Sequence, residues 1–130
     1  MDQEKVMTFQ AFAQKAARKI EERKKRKRKS LYIGALEETI EIRSLTDQEI
    51  SDCFEYSEDD YTNDKYTMYY ASSTLQELAN YMKQKGMIQE HLEVCDSISK
   101  VDRNKIVNEI LTLSEAIGES TVKELDKVKK

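Results

Sequence analysis

The 130-residue chain has no proline and no tryptophan, only three glycines, two cysteines and a single histidine. So little turn chemistry argues against a sandwich or barrel and favours helices. One histidine, His91, excludes a histidine-rich metal site, and a Cys–His dyad would need the fold to bring it to Cys53 or Cys95. Those cysteines form no C-x-x-C pair and read as buried free thiols of a reducing compartment. Gly34, Gly86 and Gly118 are too scattered for a phosphate-cradling loop. No apolar run approaches the ~20 residues that span a bilayer, and "MDQEKVMTFQ" has no signal-peptide pattern, so a cytoplasmic protein without membrane partners is expected. The run "DDYTND" fails as a calcium loop, lacking the sixth-position glycine and placing Tyr70 or Ala71 at position twelve. With no nucleophile and base constellation, the expectation is a non-enzyme without metal or cofactor.

Charge is plentiful and uneven. Between Arg18 and Lys29 stand nine basic and two acidic residues, a balance of +7, while the other 118 residues carry 13 basic and 23 acidic, a balance of −10. A basic segment is attached to an acidic body. "RKKRKRK" matches a nuclear-localisation pattern and could contact nucleic-acid phosphates, yet no aromatic residue interleaves with it. The tyrosines that could stack bases sit among acidic residues and read better as core or interface aromatics.

Apolar spacing predicts the elements. Phe9, Phe12, Ala13, Ala16, Ala17 and Ile20 fall on one face of a helix expected from Thr8 to Lys29, its polar half held by Glu21 and Glu22 four residues before Lys25 and Arg26. Leu31 and Ile33, then Ile40 and Ile42, alternate around a Gly34-centred connection as a β-hairpin. Thr46 and Glu49 form a capping box, with Leu45 and Ile50 as a hydrophobic staple, starting a helix at Asp47. "EYSEDDYTND" reads as a surface loop and "KYTMYYASS" as a short helix, with a strand as the alternative. Thr74 and Glu77 predict the cap of a further helix that ends at Gly86. "MIQEHLEVCDSIS" is a connection with a short helix, packing Met87, Ile88, Leu92, Val94 and Ile98. Ser99 or Asp102 caps a long core helix bearing Ile106, Ile110, Leu113 and Ile117, ended by Gly118. The fold class is mainly α (α+β), a small helical domain with one N-terminal β-hairpin and a long basic N-terminal helix. Residues 1–30 form the arm, residues 31–118 the domain, and residues 119–130 a short helix from Thr121 or a disordered tail.

From "LYIGALEETIEIRSLTDQEI" through "LQELANYMKQKGMIQEHLEVCDSISKVDRNKIVNEILTLSEAIG" the chain resembles the XkdN-like tail assembly chaperones of contractile-tail phages and phage-derived particles. The resemblance rests on element order: a hairpin, "R-S-L-T-x-x-E", an aromatic-rich segment, "L-Q-E-L", and a closing helix ending "L-S-E-A-I-G". The basic arm is a departure from that pattern. The resemblance implies a non-enzymatic protein of the bacterial host cytoplasm that keeps the tape measure protein soluble while the tail tube polymerises, and that is absent from the mature particle. It also implies the tube protein and a frameshifted longer form of the chain as further partners, and a homo-oligomer is a further expectation. The candidate partner-binding residues are Phe9, Phe12, Ala16 and Ile20 on the apolar stripe and Arg23, Lys24, Lys25, Arg26, Lys27 and Arg28 beyond it. The alternatives are a nucleic-acid-binding or regulatory protein using residues 18–29, which the acidic body disfavours, and a structural tail component.

Overall fold

A strand pair alone is marginal in water, and this chain resolves the problem by laying its one hairpin on helices. The computed structural model describes the backbone of residues 3–125 and the side chains of residues 8–125. The order is α1 (Gln3–Lys24), β1 (Arg28–Ile33), β2 (Glu38–Arg43), α2 (Asp47–Phe54), α3 (Asp60–Ala71), α4 (Ser73–Gln84), a 3₁₀ segment His91–Ser97 and α5 (Lys100–Leu113).

β1 and β2 pair antiparallel, with Leu31 opposite Ile40 and Ile33 opposite Glu38. Opposed residues share a face, so Leu31, Ile33, Ile40 and Ile42 point together into the core. The inner face rests on α5, α4 and α3. Around it Met68, Leu75, Ala79, Val94, Ile98 and Ile110 are almost completely buried. Fully burying each of these side chains other than Ala79 contributes about 1.5–3 kcal/mol. The turn takes its left-handed residue at Glu37, φ 54°, rather than at Gly34.

The arm differs from expectation. Its helix stops at Lys24, and Arg28 and Lys29 belong to β1. Two backbone contacts explain the early end: Lys27 N–H donates to Ser44 Oγ and Ser44 N–H to Lys27 O, both at 2.8 Å. The ladder with β2 thus captures residues whose charges alone suit a helix. Among the described residues of α1 the ion pairs are Lys19–Glu22 and Glu21–Lys24, three residues apart, instead of the expected pairs four apart.

The acidic run is not all loop, because α3 begins at Asp60. Acidic groups suit a helix N-terminus. Asn63, buried in α3, secures the preceding connection: its Nδ2 donates to Phe54 O at 2.7 Å and Ser57 O at 2.8 Å, and its Oδ1 accepts from Ser57 N–H at 2.8 Å. The α4 cap is Ser72, whose hydroxyl accepts from Leu75 N–H, whereas Thr74 Oγ1 accepts from the Glu41 N–H of β2. Thr74 therefore blocks a strand edge instead of capping a helix. Gly86, φ 72°, closes α4, with Gly86 N–H to Lys83 O and Met87 N–H to Met82 O.

The same two-bond closure ends α5 at Leu113 instead of Gly118, and the left-handed position is held by Glu115, φ 59°. Ile117, left beyond that end, is exposed, as is Met87 in the α4–3₁₀ connection. Residues 119–125 have no regular structure, and the remainder of the expected terminal helix lies outside the described residues.

Candidate partner-binding site

Helix α1 forms because alanines and long straight-chain residues dominate it, and its last turn carries Arg23 and Lys24 at the negative dipole pole. Its apolar stripe is not docked on the body. Every side chain from Thr8 to Lys24 is exposed, with Phe9 65%, Phe12 66% and Ile20 56% accessible. Single exposed apolar residues are ordinary, whereas Phe9, Phe12 and Ile20 share one helix face over about three turns.

The root of α1, by contrast, is fastened. Arg26 grips Glu49 through both terminal guanidinium nitrogens, Nη1 at 2.5 Å and Nη2 at 3.0 Å, and its Nη1 donates to Ser44 O at 3.1 Å. Glu49 also accepts from Thr46 N–H, completing the α2 capping box, and from Tyr70 Oη at 2.8 Å. Burial pushes the Glu49 carboxyl up, but the Arg26, Thr46 and Tyr70 donors outweigh it and hold it at about 2. Arg43 lies over the Tyr70 ring at 5.0 Å with its Nη1 3.8 Å from Glu49.

A second anchor is Glu115, which pairs with Lys27 at 3.1 Å and Arg23 at 3.5 Å. The hydrogen bond from Lys27 and the two cationic charges hold its carboxyl below the usual range. On the strand, Arg28 pairs with Glu41 at 3.0 Å, and Lys29 reaches Glu109 of α5 at 2.6 Å. Lys29 stands opposite Ile42 on the inward face of the hairpin, so its stem covers the core edge while its ammonium meets the carboxylate.

Between root and body lies a cleft of about 280 Å³, walled by Ile20, Arg23, Lys24 and Lys25 on one side and by Ser44 to Asp47 and Leu113 to Glu115 on the other. The ten candidate residues thus divide. Ile20, Arg23, Lys24, Lys25 and Lys27 border the cleft, and Phe9, Phe12 and Ala16 lie farther out on α1. Arg26 and Arg28 are turned into carboxylates of the body. Lys15, Arg18 and Lys25 have no ion pair among the described residues.

Glu49, Tyr70 and Glu115 were not legible as parts of this site. Glu49 was visible only as a capping residue, and its partner Arg26 is 23 positions away.

The residues that could carry covalent chemistry lie elsewhere. His91 Nε2 stands 2.9 Å from Asn80 Oδ1, and Cys95 Sγ donates to Lys65 O. Burial pushes both thiols up, Cys95 to about 12, which leaves them protonated and inert at neutral pH. Tyr66, Tyr69 and Tyr70 pack partly buried against the core, and Tyr56 stacks on Tyr66 with centroids 3.9 Å apart. No helix among the described residues is long and apolar enough to cross a membrane. Comparison with family models, curated proteins and solved structures finds no match to this chain.

Proposed function

We propose that this chain is a tail assembly chaperone of the XkdN-like kind, which covers an aggregation-prone helical tape measure protein in the bacterial cytoplasm until the tail tube encloses it. The observation that carries the reading is the exposed stripe of Phe9, Phe12 and Ile20 on a helix rooted in an acidic body. An apolar stripe can cover the apolar face of a partner helix, and the net charge of −3 opposes association between covered complexes. The body sets a hairpin ahead of its helices, the order named for the resemblance, although its closing helix ends at Leu113, before "S-E-A-I-G". The basic segment gives less support to phosphate binding, since Arg26, Lys27, Arg28 and Lys29 already face carboxylates.

Co-expression with a candidate tape measure protein found in the same gene neighbourhood tests the proposal. The expected result is a soluble, co-purifying complex and the absence of this chain from finished tails. A tape measure protein that stays insoluble, or a chain that persists in purified tails, refutes it.

A further inference from the structure

The hairpin has two outer edges, and the fold treats them differently. Hydrogen-bond parity identifies what each edge presents. Ser44 N–H donates to Lys27 O, so Lys27 and, by alternation, Lys29, Leu31 and Ile33 turn their backbone groups toward β2. Arg28, Ser30 and Tyr32 turn theirs away from it. On β2 the same alternation turns Glu41 outward, where its N–H meets Thr74 Oγ1 at 3.0 Å and α4 packs on the strand. The outward N–H and C=O groups of Arg28, Ser30 and Tyr32 have no hydrogen-bond partner among the described residues. A groove of about 140 Å³ lies between this part of β1 and Asp102, Lys105, Ile106 and Glu109 of α5.

An open edge is a template for a further strand unless something blunts it, and a charge on the strand is the usual device. β1 carries two, Arg28 and Lys29. Both are already compensated: Arg28 pairs with Glu41 at 3.0 Å and Lys29 with Glu109 at 2.6 Å. A strand laid alongside therefore buries no lone charge.

We infer that this edge pairs with β1 of a second copy, antiparallel about a two-fold axis through Ser30. The register sets Arg28 against Tyr32 of the other copy, Ser30 against Ser30 and Lys29 against Leu31. All outward N–H and C=O groups of Arg28, Ser30 and Tyr32 are then paired in both copies, and no like charges stand opposite. Moving the axis to Leu31 leaves Arg28 opposite Gly34, beyond the strand, and moving it to Lys29 sets lysine against lysine. On the outer face the Arg28 guanidinium comes beside the exposed Tyr32 ring, a favourable contact made twice. The product is a four-stranded sheet in the order β2, β1, β1, β2, and each of its ends is the β2 edge that Thr74 covers. Association therefore stops at two, as an isologous contact requires. A foreign extended segment would close one open edge, whereas self-pairing closes two at once. This surface is distinct from the α1 stripe, and its role does not rest on the chaperone reading.

A contact of this size belongs to the weak class, so the test is sedimentation equilibrium of the full chain from roughly 10 µM to 1 mM. The average mass is expected to rise from monomer toward dimer, and F9S/F12S should leave that rise unchanged. Hydrogen exchange should show the Ser30 and Tyr32 amides gaining protection over the same range, while those of Leu31 and Ile33 are protected throughout. S30P removes only an outward N–H, so it should keep the hairpin and abolish the dimer. S30E and S30K each set like charges on the axis and should weaken association roughly tenfold, and an equimolar mixture of the two should restore it. The S30E and S30K pair decides the matter if circular dichroism shows S30P unfolded.

A chain that stays monomeric throughout overturns the inference and leaves the edge to a foreign strand or to solvent. So does a dimer that F9S/F12S converts to monomer, because the α1 stripe would then hold the second copy. A dimer that the Ser30 variants leave intact, that mixing S30E with S30K fails to restore, or whose Ser30 and Tyr32 amides stay unprotected overturns it equally. The expected dimer in a chain that fails to solubilise the tape measure protein refutes the chaperone reading alone.

Discussion

Replacing Glu49 by glutamine removes one negative charge from the point where Arg26, Arg43, Tyr70 and the start of α2 converge. A carboxyl carried from its ordinary 4.5 down to about 2 corresponds to about 3 kcal/mol of folding stability. Arg26 is 41% exposed, so solvent screening reduces the expected loss to about 1–2 kcal/mol at pH 7. Because the folded-state value is depressed, this stability is fully present above the unfolded value and is lost as pH falls through the folded one. Urea unfolding followed by circular dichroism should therefore show the advantage of the native chain over E49Q as constant at neutral pH, shrinking below about pH 4.5 and gone near pH 2. An advantage that is the same at pH 7 and pH 3 would refute the assignment of Glu49 as the ionised anchor of the arm.

Asn63→Ala strips the Phe54 and Ser57 carbonyls and the Ser57 N–H of their partner, and should lower stability by about 2–3 kcal/mol in the same assay. A loss below about 0.5 kcal/mol would mean that water replaces those bonds fully. Glu115→Gly and Glu115→Ala both delete the pairs with Arg23 and Lys27, but only glycine relieves the left-handed backbone at φ 59°. Thermal melts should rank the glycine variant above the alanine variant, and the opposite order would exclude strain at this position.

What could be read in advance was whatever neighbouring residues decide. The Thr46–Glu49 capping box and the alternation of Ile33, Ile40 and Ile42 are local patterns, and the structure contains both. Misread features had distant partners. Arg28 and Lys29 look helical beside Lys25 and Arg26, but their register is set by Arg43 and Ile42 across the hairpin. Ser72 and Thr74 compete as caps within three residues, and the Glu41 N–H of another element claims Thr74. α5 stops at Leu113 although the sequence offers a glycine four residues after Ser114, because Glu115, held by two cations from the arm, occupies the left-handed position first. For the candidate site, periodicity exposed the stripe from Phe9 to Ile20, but it could not tell a docked face from an open one.

Between the end of α1 and the start of β1 stand only Lys25, Arg26 and Lys27. Two of the three are held, Arg26 by Glu49 and Lys27 by Ser44 and Glu115. The three-residue connection is thus tied to the body at two of its positions, while the apolar stripe of α1 beyond it stays exposed. A connection restrained in this way lowers the entropy that any docking on α1 would have to overcome. Loosening the ion pairs at the root would release the connection by which the whole of α1 is attached.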